Sequence, residues 1–246
     1  MKLGAVPLRV HIILAARHGL RPGGINALRH RRHVALLERT HFRVGNEEYV
    51  RTNGSHGLTT LRDRHVTVRG RRVHFAFRAK SGIRQEAALD DAQLARAVRV
   101  CQDLPGQILF QYEDDDGRIR AVTSSDVNTY LREASGGEFT AKDFRTWAGT
   151  LAAAQELDMC EPPRSPTAAK RSIVAAIDRV AESLGNTRAV CRRCYIHPAV
   201  LEAYQAGLTI GRTSAGRGAT ARLREAEARL VSLLMKMTPA APQKAA

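Results

Sequence analysis

Tyr195 lies in Gly185-Asn186-Thr187-Arg188-Ala189-Val190-Cys191-Arg192-Arg193-Cys194-Tyr195-Ile196-His197-Pro198, among arginines and nine residues after an asparagine. A phenol has a reference pKa of about 10, so at neutral pH about one in a thousand is the nucleophilic phenolate. Nearby cations favour the anion and lower that pKa. Arg192 and Arg193 are placed to hold the phenolate, or to bind a backbone phosphate beside it. A tyrosine so set can attack phosphorus and keep the product as a covalent phosphotyrosine. The competing reading makes Tyr195 a core filler and the arginines a solvated face.

Two other groupings invite chemistry. Cys191-x-x-Cys194 has the spacing of half a zinc site, but Cys101 and Cys160 are far away in sequence, and structural zinc needs a second pair. Glu113-Asp114-Asp115-Asp116-Gly117 offers carboxylates to a hard cation. Four acids ending in glycine equally describe an exposed turn, and the turn is the expectation. No metal site and no cofactor are expected.

Composition narrows the partners. With 39 basic against 24 acidic residues, the net charge of +15 favours a polyanion. Aromatic residues make up 5% of the chain, too few for extended single-strand stacking surfaces. No run of about eighteen apolar residues exists to span a bilayer, and no amphipathic helix with a Trp or Phe face stands out. The four cysteines do not form a disulfide framework in a chain of this size and fit reduced thiols.

The elements that must position these residues follow from periodicity. Residues 1–40 carry eight Lys/Arg against the single acid Glu38 and read as a basic arm, with a helix from about Ala27 to Arg39. Arg64 to Val68 and Val73 to Phe77 alternate as strands about the turn Arg69-Gly70. Ala79-Lys80-Ser81-Gly82 ends the second strand and points Lys80 outward at a hairpin tip. A helical pattern starts near Asp90, and another, capped by Ser124-Ser125-Asp126, runs through Leu131. Thr140 with Asp143 opens the clearest helix, which places Phe144, Trp147, Ala148, Leu151 and Ala152 on one face. Arg145 falls at the edge of that face, the usual place of a snorkelling arginine.

A helix from Thr167 to Leu184 closes at Gly185, and a short one follows Pro198. Residues 211–219 read as a flexible joint, and a last helix, about Thr220 to Met237, turns Leu223, Leu230, Leu233 and Leu234 toward apolar surroundings. The expected fold is α+β and mostly α-helical, with a small antiparallel sheet or hairpin near the N-terminal part. Its expected division is a basic arm over 1–33, a main domain over 34–237 and a disordered tail over 238–246.

Several of these segments, in order, match one family. Phe42-Arg43-Val44-Gly45-Asn46-Glu47-Glu48-Tyr49, Gly57-Leu58-Thr59-Thr60-Leu61-Arg62, Ala79-Lys80-Ser81-Gly82, Lys142-Asp143-Phe144-Arg145-Thr146-Trp147 and Leu184-Gly185-Asn186-Thr187 through Tyr195 together resemble the catalytic domain of type IB DNA topoisomerases. The small bacterial and poxvirus-like enzymes are the most similar group, and the likeness covers roughly residues 34 to 237.

The resemblance implies roles. Arg43 corresponds to the first catalytic arginine, Lys80 to the general-acid lysine and Arg145 to the second arginine. Asn186 stands where members carry histidine or asparagine, and Tyr195 stands at the nucleophile. Attack on a phosphodiester gathers negative charge on two non-bridging oxygens and on the departing 5′ oxygen. Permanently charged, planar guanidiniums suit the first task, and a proton from lysine suits the second. Arg62, Arg64, Arg84, Lys142, Arg192 and Arg193 are the further expected contacts to double-stranded DNA.

The implied protein is a monomeric, cytoplasmic, nucleoid-associated topoisomerase that needs neither metal nor ATP. Two departures stand out: the family's N-terminal clamp domain has no counterpart in the forty unmatched residues, which suggests a truncated product, and Arg188 replaces an expected proline. The rivals are a tyrosine recombinase, whose second arginine usually sits in His-x-x-Arg where this chain has Lys142-x-x-Arg145, and a DNA-binding module without turnover. A continuous helix over 187–195 would separate Asn186 and Tyr195 by about 13 Å along its axis. A break in that stretch, or a tyrosine that swings in on DNA, is therefore expected.

Overall fold

Val73, Phe75 and Phe77 alternate with Arg72, His74, Ala76 and Arg78, and a strand turns such a pattern into one dry and one wet face. The computed structural model describes residues 25–114, 116–212 and 218–237. These fall into two compact units that divide between Phe144 and Arg145.

In the first unit, strands β1 (Val66–Arg69), β2 (Arg72–Arg78) and β3 (Arg84–Asp90) form an antiparallel sheet in sequence order. The registers Val68↔Val73 and Phe75↔Ala87 keep apolar residues on the covered face. Val73, Phe75 and Phe77 are buried there, and Phe42 meets the two phenylalanine rings edge-on at 5.9 and 4.8 Å. Burying each such ring stabilises the unit by about 2–3 kcal/mol. The hairpin about Gly70 is as expected, and β3 is an addition. Its Arg-Gln-Glu-Ala-Ala-Leu-Asp sequence is poor in β-branched residues, and it pairs only as an edge strand.

Helix α1 (Ile25–Thr40) precedes the sheet and buries Val34, Leu36 and Leu37. Helix α2 (Glu47–Asn53), absent from the sequence expectations, starts where Asn46 accepts the Glu48 amide at 2.7 Å and ends at left-handed Gly54. Helix α3 (Ala92–Gln102) is capped by Asp91 and lays Leu94 and Val98 against β1 and β2.

Strands β4 (Gln111–Glu113) and β5 (Ile119–Ala121) form a second hairpin. Its turn is the acidic run. Asp114 accepts the Asp116 and Arg118 amides and pairs with Arg120, and those bonds hold its carboxyl below the usual carboxylate range. Asp115 lies outside the described residues. Helix α4 (Ser124–Ser135) is capped one residue earlier than expected, by Thr123 in a reciprocal box with Asp126.

The second unit is helical. Helix α5 (Ala141–Asp158) opens with the Thr140–Asp143 cap and continues into this unit. It is followed by α6 (Pro166–Leu184), α7 (Arg188–Cys194), α8 (Pro198–Gln205) and α9 (Ala219–Met237). From Phe144 to Ala154, α5 is buried nearly all round, so a one-sided reading of it was too narrow. Its Trp147 indole donates to the buried Glu227 carboxylate of α9 at 3.1 Å. In α9, Ala226, Leu230, Leu233 and Leu234 are buried, whereas Leu223, expected among them, is 38% exposed. Residues 1–24, 213–217 and 238–246, which hold most of the expected arm, part of the joint and the tail, lie outside the described residues.

Among the described residues, no helix is long and apolar enough to cross a membrane.

Candidate active site

The segment carrying Arg43 is fixed by its backbone. Leu58 N–H donates to Arg43 O at 2.8 Å, and Thr59 N–H to Val44 O at 2.7 Å, with the Thr59 hydroxyl on the same carbonyl. Gly45 takes φ +103, open to glycine, and a Cβ at Gly57 would stand 2.5 Å from Gly45 Cα. The glycines of two quoted motifs are therefore pressed together, which explains why both motifs need them. Arg43 itself is half-buried.

Lys80 occupies a one-turn helix (Lys80–Gly82) between β2 and β3, with Ser81 at φ 64. Ala79 N–H donates to Ile83 O at 2.8 Å and closes the tip. The Lys80 ammonium is exposed and lies 4.8 Å from the Tyr49 ring centre and 3.5 Å from its hydroxyl. Tyr49, to which sequence reasoning gave no role, is thus the neighbour of the Lys80 ammonium. Its place in the motif that contains Arg43 was the available signal.

In the second unit Arg145 is 2% exposed, so it does not snorkel at a helix edge as expected. Its guanidinium donates to Leu184 O at 2.7 Å and lies over the Tyr195 ring, 5.0 Å from the centroid. Asn186 Nδ2 donates to the same carbonyl at 3.2 Å. Gly185, left-handed at φ 61, ends α6 and turns the chain so that Asn186 follows directly. Thus Arg145 and Asn186 meet at one carbonyl, and the Tyr195 ring lies beneath Arg145. Arg192 and Arg193, the sequence neighbours first considered for the phenol, are exposed, and the cation over its ring comes from α5.

Helix α7 is unbroken from Arg188 to Cys194, which corrects the expected break inside this stretch. Thr187 caps its start, and Tyr195 ends it at φ −126, ψ −5. Arg188 forms a two-pronged ion pair with Asp178 of α6, which ties down the start of α7 where a proline was expected. The Tyr195 backbone is gripped by α5. A Cβ on Gly149 would meet Tyr195 O at 2.6 Å, and the Thr146 hydroxyl donates to Cys194 O at 3.4 Å. The Thr150 hydroxyl lies 2.7 Å from Thr146 O and 3.3 Å from Tyr195 O, and its oxygen accepts the His197 amide at 3.1 Å. Tyr195 itself is 8% exposed.

Of the expected DNA contacts, Arg64, Arg84, Lys142, Arg192 and Arg193 are exposed; Arg84 pairs with Glu86, and half-buried Arg62 donates to Gln107 at 3.0 Å. Cys191 is buried, which pushes its thiol up to about 11. Among the described residues no three His, Cys, Asp or Glu side chains gather as a metal site.

Residues 28–216 match the catalytic core of eukaryotic DNA topoisomerase I, a span that contains every residue of this candidate site. DNA topoisomerase 1B of Acanthamoeba polyphaga mimivirus is 34% identical over 179 residues, 70% of this chain and 53% of the relative. The chain belongs to the type IB DNA topoisomerases. It spans about half the length of this curated relative. In this type IB topoisomerase core, one unit holds half-buried Arg43 and exposed Lys80 on a locked backbone, and the other a tyrosine packed beneath a guanidinium.

Proposed function

We propose that this chain relaxes supercoiled double-stranded DNA by reversible single-strand cleavage through Tyr195. The Tyr195 oxygen, its proton released to solvent, attacks the phosphorus, the bond to the 5′ oxygen breaks, and the 3′ phosphate stays on the tyrosine. Lys80 gives its proton to the departing 5′ oxygen, a contribution on the order of 10²–10⁴-fold. Arg43 and Arg145 balance the charge growing on the non-bridging oxygens, and Asn186 adds a neutral donor. Attack by the 5′ hydroxyl on the phosphotyrosine restores the strand and the free tyrosine.

The observation that carries this reading is the buried Arg145 guanidinium stacked on the Tyr195 ring, in a chain of this family. A buried arginine needs an anionic or carbonyl partner, and here it holds Leu184 O. A phosphate is the stronger acceptor. Its arrival draws Arg145 from that carbonyl and uncovers the phenol, which then turns outward on a backbone fixed by Thr150 and Gly149. Unbroken α7 leaves this second expectation, a tyrosine that swings in on DNA, as the route. Contacts from Arg62, Arg64, Arg84, Lys142, Arg192 and Arg193 go to phosphates, so binding is largely sequence-tolerant and salt-dependent. We also propose that the protein acts as a monomer and resides with the chromosome in the cytoplasm.

The test is supercoiled plasmid with EDTA, stopped with denaturant. Relaxation and a covalent adduct, both lost in Tyr195→Phe, support the reading. Binding without an adduct makes the chain a DNA-binding module, and loss of relaxation in EDTA restores a metal to the reaction.

A further inference from the structure

His56 lies outside the assigned machinery, yet it is 8% exposed, and its two hydrogen bonds lead toward the two cations of the first unit. Its backbone N–H donates to Arg78 O at 2.8 Å, two residues before Lys80. Its ring Nδ1 lies 2.6 Å from Thr60 O, so Nδ1 carries the proton and donates to that carbonyl. Thr60 in turn closes the loop: its hydroxyl accepts Gly57 N–H at 2.9 Å and lies 3.1 Å from Gly57 O. The closed loop presents Leu58 and Thr59 N–H to Arg43 O and Val44 O. The His65 ring covers the other side of the imidazole, edge-on at 4.4 Å, and is itself fixed by the Arg62 amide donating to its Nδ1 at 3.1 Å.

We infer that His56 is a positioning residue for the cleavage reaction, an imidazole that fastens the loop holding Arg43 to the strand end that carries Lys80. This rests on the topoisomerase reading above. One residue thus sets the spacing between a phosphate clamp and a proton donor. Arg43 follows it through the 57–59 backbone, and Lys80 follows it through Arg78 and the tip closed by Ala79 and Ile83. Misplacing a reacting group by about 1 Å can cost on the order of 10²-fold in rate while leaving phosphate binding largely intact. The chemical requirement is a donor at the Nδ1 position. Asparagine supplies one from its amide, and phenylalanine fills the space without it.

The experiment measures single-turnover cleavage and affinity on a duplex whose cleaved strand is too short to reseal. His56→Phe is expected to cleave about 10–100-fold more slowly at saturating duplex, with affinity within about threefold of the parent. His56→Asn is expected to recover most of that rate. Parent-like cleavage by His56→Phe, equal slowing in both variants, or an affinity loss matching the rate loss would each overturn the inference.

Amide exchange gives a readout that does not depend on activity. The Leu58 and Thr59 amides should exchange at least about tenfold faster in His56→Phe, with Phe75 in the sheet core unchanged. Unchanged Leu58 and Thr59, or equal acceleration at Phe75, makes His56 a plain core residue. If the parent chain forms no adduct, the topoisomerase reading fails, and the exchange result alone decides whether His56 fastens the loop.

Discussion

The two units each hold one half of the proposed machinery, and they hold their cations in opposite ways. Around Arg43 and Lys80 the backbone is locked by amide–carbonyl bonds and a glycine–glycine contact, while the charged heads stand partly or fully in solvent. Around Tyr195 the backbone is equally fixed, but the reactive ring is buried beneath Arg145. The first half is set before DNA arrives and the second is closed. The difference teaches that backbone order alone does not make a group ready, because the acceptor held by its charged neighbour decides whether it is exposed.

This contrast can be broken at its strongest point first. Tyr195→Phe removes the proposed nucleophilic oxygen, and denaturing gels should show no adduct. Lys80→Ala should slow cleavage by on the order of 10²–10⁴-fold while duplex affinity stays within a few-fold. Equal losses in filter-binding and cleavage assays would reduce Lys80 to a phosphate contact.

The fixed backbones come next. Gly57→Ala and Gly149→Ala each force a methyl within about 2.6 Å of backbone atoms. Each should cost about 1–3 kcal/mol in urea denaturation, with Gly149→Ala also slowing cleavage because it displaces Tyr195 O. Thr150→Val should cost about 1 kcal/mol by removing the hydroxyl that accepts the His197 amide.

The smallest expected effect is on pH dependence, and it belongs to the first half alone. Burial, with Arg62 and Arg64 nearby, lowers the His56 pKa, and burial next to His56 lowers that of His65 to about 4. The unfolded chain therefore binds these protons first as the pH falls. Stability from the pair is complete above the ordinary value of 6.5 and is lost progressively toward about 4. Thermal unfolding across that window should show the slope, and His65→Gln should flatten it.

Much of the fold was legible because it rests on local rules. The β1–β2 hairpin follows from two-residue alternation about Gly70, α6 from its Gly185 stop, and the acidic run from Asx chemistry. The short helix α2 also had its signals, Asn46 and Gly54, but seven residues carry too little periodicity to announce themselves. Strand β3 gave no signal of its own, since alanine, glutamine and glutamate become a strand only when β2 supplies an edge. Leu223 misled because spacing places a leucine on a helix face without saying how far the neighbouring helices extend.

By itself, the sequence determined which residues carry charge, where a phenol and a lysine stand among them, and which turns deliver them. These depend on side-chain chemistry and on contacts a few residues apart. Only the tertiary structure decided that Arg145, fifty residues before Tyr195, is the cation on its ring, and that Arg192 and Arg193 face solvent. Helical spacing fixes the angle of a side chain about its own axis, but burial depends on what the rest of the chain packs against that face.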